Sequence, residues 1–193
     1  IMNGIGEDAR SYCESNVLVM GAGPIGMAVA MLLKKEFGFR NVAICDIAED
    51  RLKYAAEHNI NVVKAGGREP DSSVTYHELY EKSGYDYVFE TTGVAKVLNN
   101  CMVDVAPHGT VISVAPLQEL KLTAGLLVNK AVRLVGSIGG GGEIMNAVNA
   151  FAKDPEYYNG LISHRFDFND IRAALELQQN DPGRMKVILT GRW

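Results

Sequence analysis

The residues best placed to do chemistry are Gly21-Ala22-Gly23-Pro24-Ile25-Gly26, with Asp46 twenty residues after the third glycine. Glycines at this spacing make a turn whose backbone can cradle a phosphate. Gly21 permits the tight turn, Gly23 lets the chain approach a pyrophosphate, and Gly26 lets a following helix pack close to a sheet. Pro24 and Ile25 open that helix. Its free N–H groups and the positive end of its dipole favour the phosphate charge. Asp46 is expected to accept hydrogen bonds from the adenosine ribose hydroxyls. A carboxylate there repels a 2′-phosphate, so NAD(H) is expected in preference to NADP(H). Arg51, on the next helix, is a candidate to lie over the same ribose, or else to sit on a solvated helix face. The alternative role of Asp46, as of many strand-end aspartates, is that of a helix cap. A competing ligand for a glycine-rich loop of this kind is S-adenosylmethionine. Methyltransferase loops, however, usually follow an acidic residue and have closer glycines, whereas Met20 precedes this one.

The elements that must hold these residues follow from the hydrophobic pattern. Strands are expected over 16–20, 42–45, 61–63, 86–89, 110–114 and 132–135. Helices are expected over 24–37, 49–58, 76–82, 94–103 and 143–153, with a short one over 122–128. A loop spans 64–73. After residue 153 come an extended run over 163–168, a helix over 169–178, a turn at Asp181-Pro182-Gly183 and a last strand over 185–189. Apolar strands alternating with helices predict an α/β, Rossmann-type, doubly wound fold: a mostly parallel six-stranded sheet with helices on both faces. The stretch 17–33 carries no charge and could suggest a membrane span, but Gly21, Gly23, Pro24 and Gly26 interrupt it.

Composition restricts function. The chain has 193 residues, 47% hydrophobic and 22% charged, with a formal net charge of −4, so neither nucleic acid nor an anionic membrane is an expected partner. Cys13, Cys45 and Cys101 have neither zinc-ligand nor redox-motif spacing, nor do His58, His77, His108 and His164. No metal ligand and no catalytic residue is assigned within the chain. Unpaired thiols fit a reducing compartment, and a cytoplasmic location is expected. The first fifteen residues are polar and lack a convincing core pattern. They are read as a linker or the end of a preceding domain, with the dinucleotide-binding domain at 16–153 and a C-terminal segment at 154–193.

From residue 16 to 190 the order of motifs resembles the medium-chain alcohol and polyol dehydrogenases, in the part that binds the cofactor. Val17 to Gly26, then Asp46 with Arg51-Leu52 and Ala55-Ala56, is similar to that family's first two strands and their helices. Tyr87-Val-Phe-Glu-Thr-Thr-Gly93 is similar to its fourth strand, Pro107-His-Gly-Thr-Val-Ile112 to its fifth, and Leu161-Ile-Ser-His164 and Lys186-Val-Ile-Leu189 to its last elements. The resemblance implies that Thr91, Thr92, Ser113 and Ala115 line the nicotinamide side and that backbone from Ser137 to Gly139 meets the carboxamide. Lys186 is expected to reach the pyrophosphate, and His164 to be structural. It further implies hydride transfer between an alcohol or polyol carbon and NAD, with zinc held only by a catalytic domain that this chain lacks. The chain alone is therefore expected to be inactive. A homodimer through the edge of the sixth strand is expected, and residues 154–193 should leave apolar surface exposed. A non-catalytic NAD(H)-responsive sensor is the alternative use of the same fold.

Overall fold

A computed structural model describes residues 1–6, 8–65, 76–81, 84–116, 122, 124–139 and 143–191. Among them, six strands form one parallel sheet: β1 (Asn16–Met20), β2 (Asn41–Asp46), β3 (Asn61–Lys64), β4 (Tyr85–Glu90), β5 (Val105–Ser113) and β6 (Arg133–Gly136). Their spatial order is β3-β2-β1-β4-β5-β6, with every pair parallel. The order reverses between β1 and β4, and at such a reversal the strand ends open a crevice for ligand.

Both faces of the sheet are covered, which explains why its central strands are apolar without alternation. Val17 and Val19 face one core with Val42 and Ile44. That face is covered by α2 (Pro24–Lys35) and α3 (Glu49–Glu57) through Met27, Ala30, Met31, Leu33, Leu52 and Ala55. Leu18, Met20, Ala43 and Cys45 face the other, beneath α5 (Ala95–Asp104) and α6 (Ala124–Asn129). This is the doubly wound arrangement expected. Lys130, buried after α6, donates from Nζ to the carbonyls of Val103 and Val105 (2.8 Å each) and Met102 (3.2 Å). It thereby holds the end of α5 with a cation, the charge that a helix C-terminus favours.

The polar reading of the first fifteen residues needs correction. A short α1 (Met2–Ile5) and a 3₁₀ turn (Ala9–Tyr12) bring Ile5 and Ala9 into the first core. The two apolar residues are too far apart to show a period. Strand β5 begins five residues earlier than the pattern suggests, because Val105 pairs with Tyr85 before a register shift. Pro107, His108 and Gly109 have poor strand propensity, and tertiary pairing overrides it. Of the loop expected over 64–73, Lys64 ends β3 and residues 66–73 lie outside the described residues. α4 (Tyr76–Glu81) lies where expected.

The C-terminal segment returns to the first core. α7 (Ile144–Lys153) leads to α8 (Pro155–Tyr158), a short helix that the apolar pattern misses. Its signature is local: Asp154 accepts from the Tyr157 N–H at 3.2 Å, and Pro155 fills the first turn. Phe151, Tyr157 and Tyr158 pack ring against ring, and Lys35 lies over Tyr157 while bridging Asp154 at 2.8 Å. Strands β7 (Ile162–Asp167) and β8 (Lys186–Thr190), connected through α9 (Ile171–Asn180), form a separate parallel pair. Phe168, Ile171, Leu175 and Leu189 are exposed there, as expected of this segment. Among the described residues no helix is long and apolar enough to cross a membrane.

Tyr158 ties this segment down and carries a pH signature. Burial, then the charges of Glu36, Tyr157 and Asp154, push its hydroxyl from 10.0 up to about 12. The unfolded chain gives up this proton first. The stability linked to it is intact below pH 10 and lost as pH rises towards 12. The buried hydroxyl has no hydrogen-bond partner among the described residues. Tyr158→Phe is therefore expected to change stability by under about 1 kcal/mol at pH 7 and to flatten the alkaline loss. Urea denaturation at neutral and alkaline pH checks both; an equally steep alkaline loss in the variant rejects the assignment.

Candidate functional site

The site begins where β1 stops. The Gly21 N–H donates to the Cys45 carbonyl at 2.7 Å, and Gly21 then turns at φ +101°. The turn leads through Gly23 into α2, whose N-terminus has Pro24 at its start and no side-chain cap. The first-turn N–H groups thus remain available as donors to an anion.

The three glycines are needed for different reasons. A Cβ at Gly26 would lie 1.8 Å from the Gly21 carbonyl oxygen and 2.8 Å from Thr91 Oγ1, so the start of α2 is pressed against the loop and β4. A Cβ at Gly21 would lie 2.8 Å from both Thr91 Oγ1 and Thr92 Cγ2. Gly23 differs. Its backbone is ordinary extended chain (φ −70°, ψ −179°), and the nearest atom to an added Cβ is Arg51 Nη1 at 3.8 Å. Nothing in the described protein requires glycine there. A group approaching the backbone would require it, and an uncapped helix end beside it suits an anion. Ile25, beside it, is 54% exposed.

Asp46 ends β2 beside this loop. Its Oδ2 accepts from the Ala22 N–H at 2.6 Å and its Oδ1 from the Ala48 N–H at 2.8 Å. Asp46 thus holds the turn after β2 rather than capping α3, whose N-cap is Ala48 and which has no side-chain cap among the described residues. Each carboxylate oxygen has a second lone pair, so the group can still accept from a ribose diol. Arg51 does not sit on a solvated face. Its Nη1 lies 3.7 Å from Asp46 Oδ2, its side chain is mostly buried, and its Nε donates to the Arg184 carbonyl at 3.2 Å. Burial, with the charges of Asp104 and Asp46 adding to it, raises the neighbouring Cys45 thiol above its ordinary range.

On the other side of the crevice, Thr91 Oγ1 donates to the carbonyls of Met20 (2.8 Å) and Gly21 (3.2 Å), joining the end of β4 to the phosphate loop. Thr92 is exposed beside it. The Ser113 carbonyl accepts from the Ser137 N–H at 2.9 Å, so the ends of β5 and β6 adjoin. Ala115 is half-buried, and Gly139 is exposed with nothing within 4 Å of an added Cβ. The rest of the glycine run, 140–142, lies outside the described residues.

Lys186 is the candidate that the structure does not bring to the loop by any contact. It is exposed at the start of β8, and no hydrogen bond or ion pair among the described residues engages its Nζ. The C-terminal residue that does meet the site's residues is Arg184, through its backbone to Arg51. Its Nη1 is held at 2.6 Å by the Asp181 carbonyl, in the turn expected there. Sequence reasoning also passed over Glu90, which is fully buried at the end of β4. Its signal was available: a lone carboxylate closing an apolar strand run. Among the described residues, no group of three His, Cys, Asp or Glu side chains could hold a metal ion.

Comparison with known proteins agrees with this geometry. The chain is 29% identical over 187 residues to D-altritol 5-dehydrogenase of Agrobacterium fabrum, covering 95% of this chain and 52% of that protein. It is 30% identical over 195 residues to D-xylulose reductase of Scheffersomyces stipitis, covering 91% and 50%. The chain thus spans about half the length of the curated relatives it matches. In fold it is similar to the Escherichia coli CFT073 alcohol dehydrogenase rspB, solved in complex with NADH (TM-score 0.78, 21% identity, covering 98% of this chain and 56% of that one). It is likewise similar to L-idonate 5-dehydrogenase of Escherichia coli K-12 (TM-score 0.77, 23% identity, 95% and 53%). The family described as zinc-binding dehydrogenase matches residues 24–153. With two-thirds of its residues inside that match, and with its strand order, phosphate loop and strand-end aspartate in place, this chain belongs to the zinc-binding dehydrogenase family.

Proposed function

We propose that this chain binds NAD(H) and forms the cofactor half of an alcohol or polyol dehydrogenase. The observation that carries the reading is Gly23, a glycine that the protein's own packing does not need, beside an uncapped helix N-terminus. The relatives named for altritol and xylulose point to a polyol as the class of substrate. Nicotinamide, when bound, supplies the hydride acceptor or donor. The chain's own residues hold and orient. The N–H groups of Gly23, Ile25 and Gly26 take the pyrophosphate, and Asp46 accepts from the adenosine ribose with Arg51 beside it. Thr91, Thr92, Ser113, Ala115 and the backbone from Ser137 to Gly139 bound the nicotinamide side. Lys186 reaches the pyrophosphate from β8 by a swing of its exposed side chain.

Substrate binding and zinc belong, in this reading, to the half of the relatives' length that the chain does not span. The chain alone then binds cofactor without turnover. Residues 16–153 form the cofactor domain, with 154–193 packing against the remainder. The free thiols, two of them buried, support a reducing compartment such as the cytoplasm. The exposed β6 edge supports a homodimer: Leu134 is 38% exposed, and Ile138, just after the strand, is 87% exposed.

Calorimetric titration with NADH, NADPH and S-adenosylmethionine in parallel tests the cofactor. NADH is expected to bind tightest, and Asp46→Ala to weaken it roughly tenfold or more while narrowing its lead over NADPH. Binding of S-adenosylmethionine alone would overturn the reading, and an unchanged NADH-to-NADPH ratio in the variant would remove Asp46 from the ribose site. Substitution separates the glycines. Gly23→Val should leave the melting temperature near that of the parent yet weaken NADH at least about tenfold. Gly26→Ala should lower stability by roughly 2 kcal/mol or more, because backbone must move. If Gly23→Val binds NADH normally, the loop does not hold the pyrophosphate. Sedimentation equilibrium is expected to show a dimer that Leu134→Glu dissociates; a parent chain that sediments as a monomer contradicts pairing through β6.

A further inference from the structure

The carboxyl group of Glu90 is the most deeply buried acid described in the chain, at 0% exposure, and nothing in the proposed binding scheme uses it. Its Oε1 accepts from three donors of one turn: the Thr92 N–H at 2.7 Å, the Gly93 N–H at 3.0 Å and the Thr92 hydroxyl. The Thr92 hydroxyl in turn accepts from the Val94 N–H at 3.1 Å, where α5 begins. Oε2 has no partner. Burying a carboxylate is costly, and hydrogen bonds to it are among the stronger ones a protein makes. Here all of them converge on residues 92–93, where Gly93 turns at φ +72°. The same strand end is stitched to its neighbours by backbone: the Glu90 carbonyl accepts from the Val114 N–H at 2.9 Å, and the Met20 carbonyl from the Thr91 N–H at 3.0 Å.

We propose that Glu90 is a positioning residue for the nicotinamide half of the site. It sets the turn after β4 from below, by accepting on one oxygen all three donors of that turn. The inference rests on the NAD(H) reading. Thr91 is tied to the phosphate loop by its own hydroxyl, independently of Glu90, so loss of the carboxylate loosens residues 92–93 and leaves the pyrophosphate and adenosine contacts in place. The expected consequence is selective. Affinity for ADP-ribose, which carries the adenosine and both phosphates but no nicotinamide, stays; the additional affinity of NADH falls.

The experiment compares Kd for ADP-ribose and NADH in the full chain and in Glu90→Leu, Glu90→Asp and Glu90→Gln, with circular dichroism to check folding. In the parent chain NADH should bind tighter than ADP-ribose. Glu90→Leu, which removes the acceptor, should reduce that ratio roughly tenfold while ADP-ribose stays within about twofold. Glu90→Asp, whose carboxylate is held one methylene back, should lose in the same direction, and decides the matter if the leucine variant does not fold. Glu90→Gln keeps an acceptor oxygen at the same reach and should restore most of the ratio. Equal weakening of both ligands, or an unchanged ratio in the aspartate variant, would overturn the proposal. So would a parent chain that binds ADP-ribose as tightly as NADH, because the turn then orients nothing. A parent chain that binds neither ligand would instead sink the cofactor reading on which the proposal stands.

Discussion

The close approach of α2 to the end of β1 is the constraint on which the rest of the site depends. There is no room for even a methyl group between Gly26 and the Gly21 carbonyl. This contact sets the helix axis against the crevice between β1 and β4 and aims its uncapped N–H groups into the opening. Thr91, reaching across from β4, adds its hydroxyl to the Met20 carbonyl, which already accepts from the Thr91 N–H, and to the Gly21 carbonyl in the turn. A buried turn of this kind must account for every polar group it carries. The glycines make the approach possible, and the threonine provides the hydrogen bonds.

The two halves of the crevice are organised by the same device. A strand-end carboxylate on each side collects backbone N–H groups from the turn that follows its strand: Asp46 after β2 and Glu90 after β4. Their surroundings separate their roles. Asp46 also grips the phosphate loop through Ala22 and has Arg51 within 3.7 Å, at the rim of the crevice. Glu90 is sealed beneath its turn, with Thr92 between it and solvent. In the proposed scheme, one carboxylate meets a ligand as well as holding its turn, and the other only holds.

The peripheral segments bear on this geometry through packing. Ile5 and Ala9 close the first core from the N-terminal side, while the aromatic cluster of Phe151, Tyr157 and Tyr158 closes it from the C-terminal side. From that cluster the chain runs through the β7–β8 pair to the turn at Asp181, whose neighbour Arg184 fixes Arg51 by a backbone carbonyl. The orientation of Arg51 beside Asp46 is thus partly decided by a segment more than 130 residues away.

Much of this protein was readable in its sequence, for a definite reason. A parallel sheet covered on both faces demands uninterrupted apolar runs such as Val17 to Met20, and a phosphate-binding turn demands glycines at set intervals. Both are local signals, so the parallel sheet, the glycine loop and the strand-end position of Asp46 could be anticipated, whereas the order of the strands came from the structure. The tertiary structure decided what local pattern does not encode. The apolar contributions of residues 1–15 are single side chains without a period, and β5 extends through residues of poor propensity because β4 lies beside it. Arg51 could be read equally as a contact or as a solvated residue until its partners Asp46 and Arg184 were in place. Lys186 matched a motif but acquires no contact near the loop, since a side chain's reach depends on the packing of β7 and β8 rather than on its position in the strand. Glu90 is the clearest case. A carboxylate in an apolar strand signals only that something must satisfy it, and its donors lie in a turn whose shape exists only once the chain has folded.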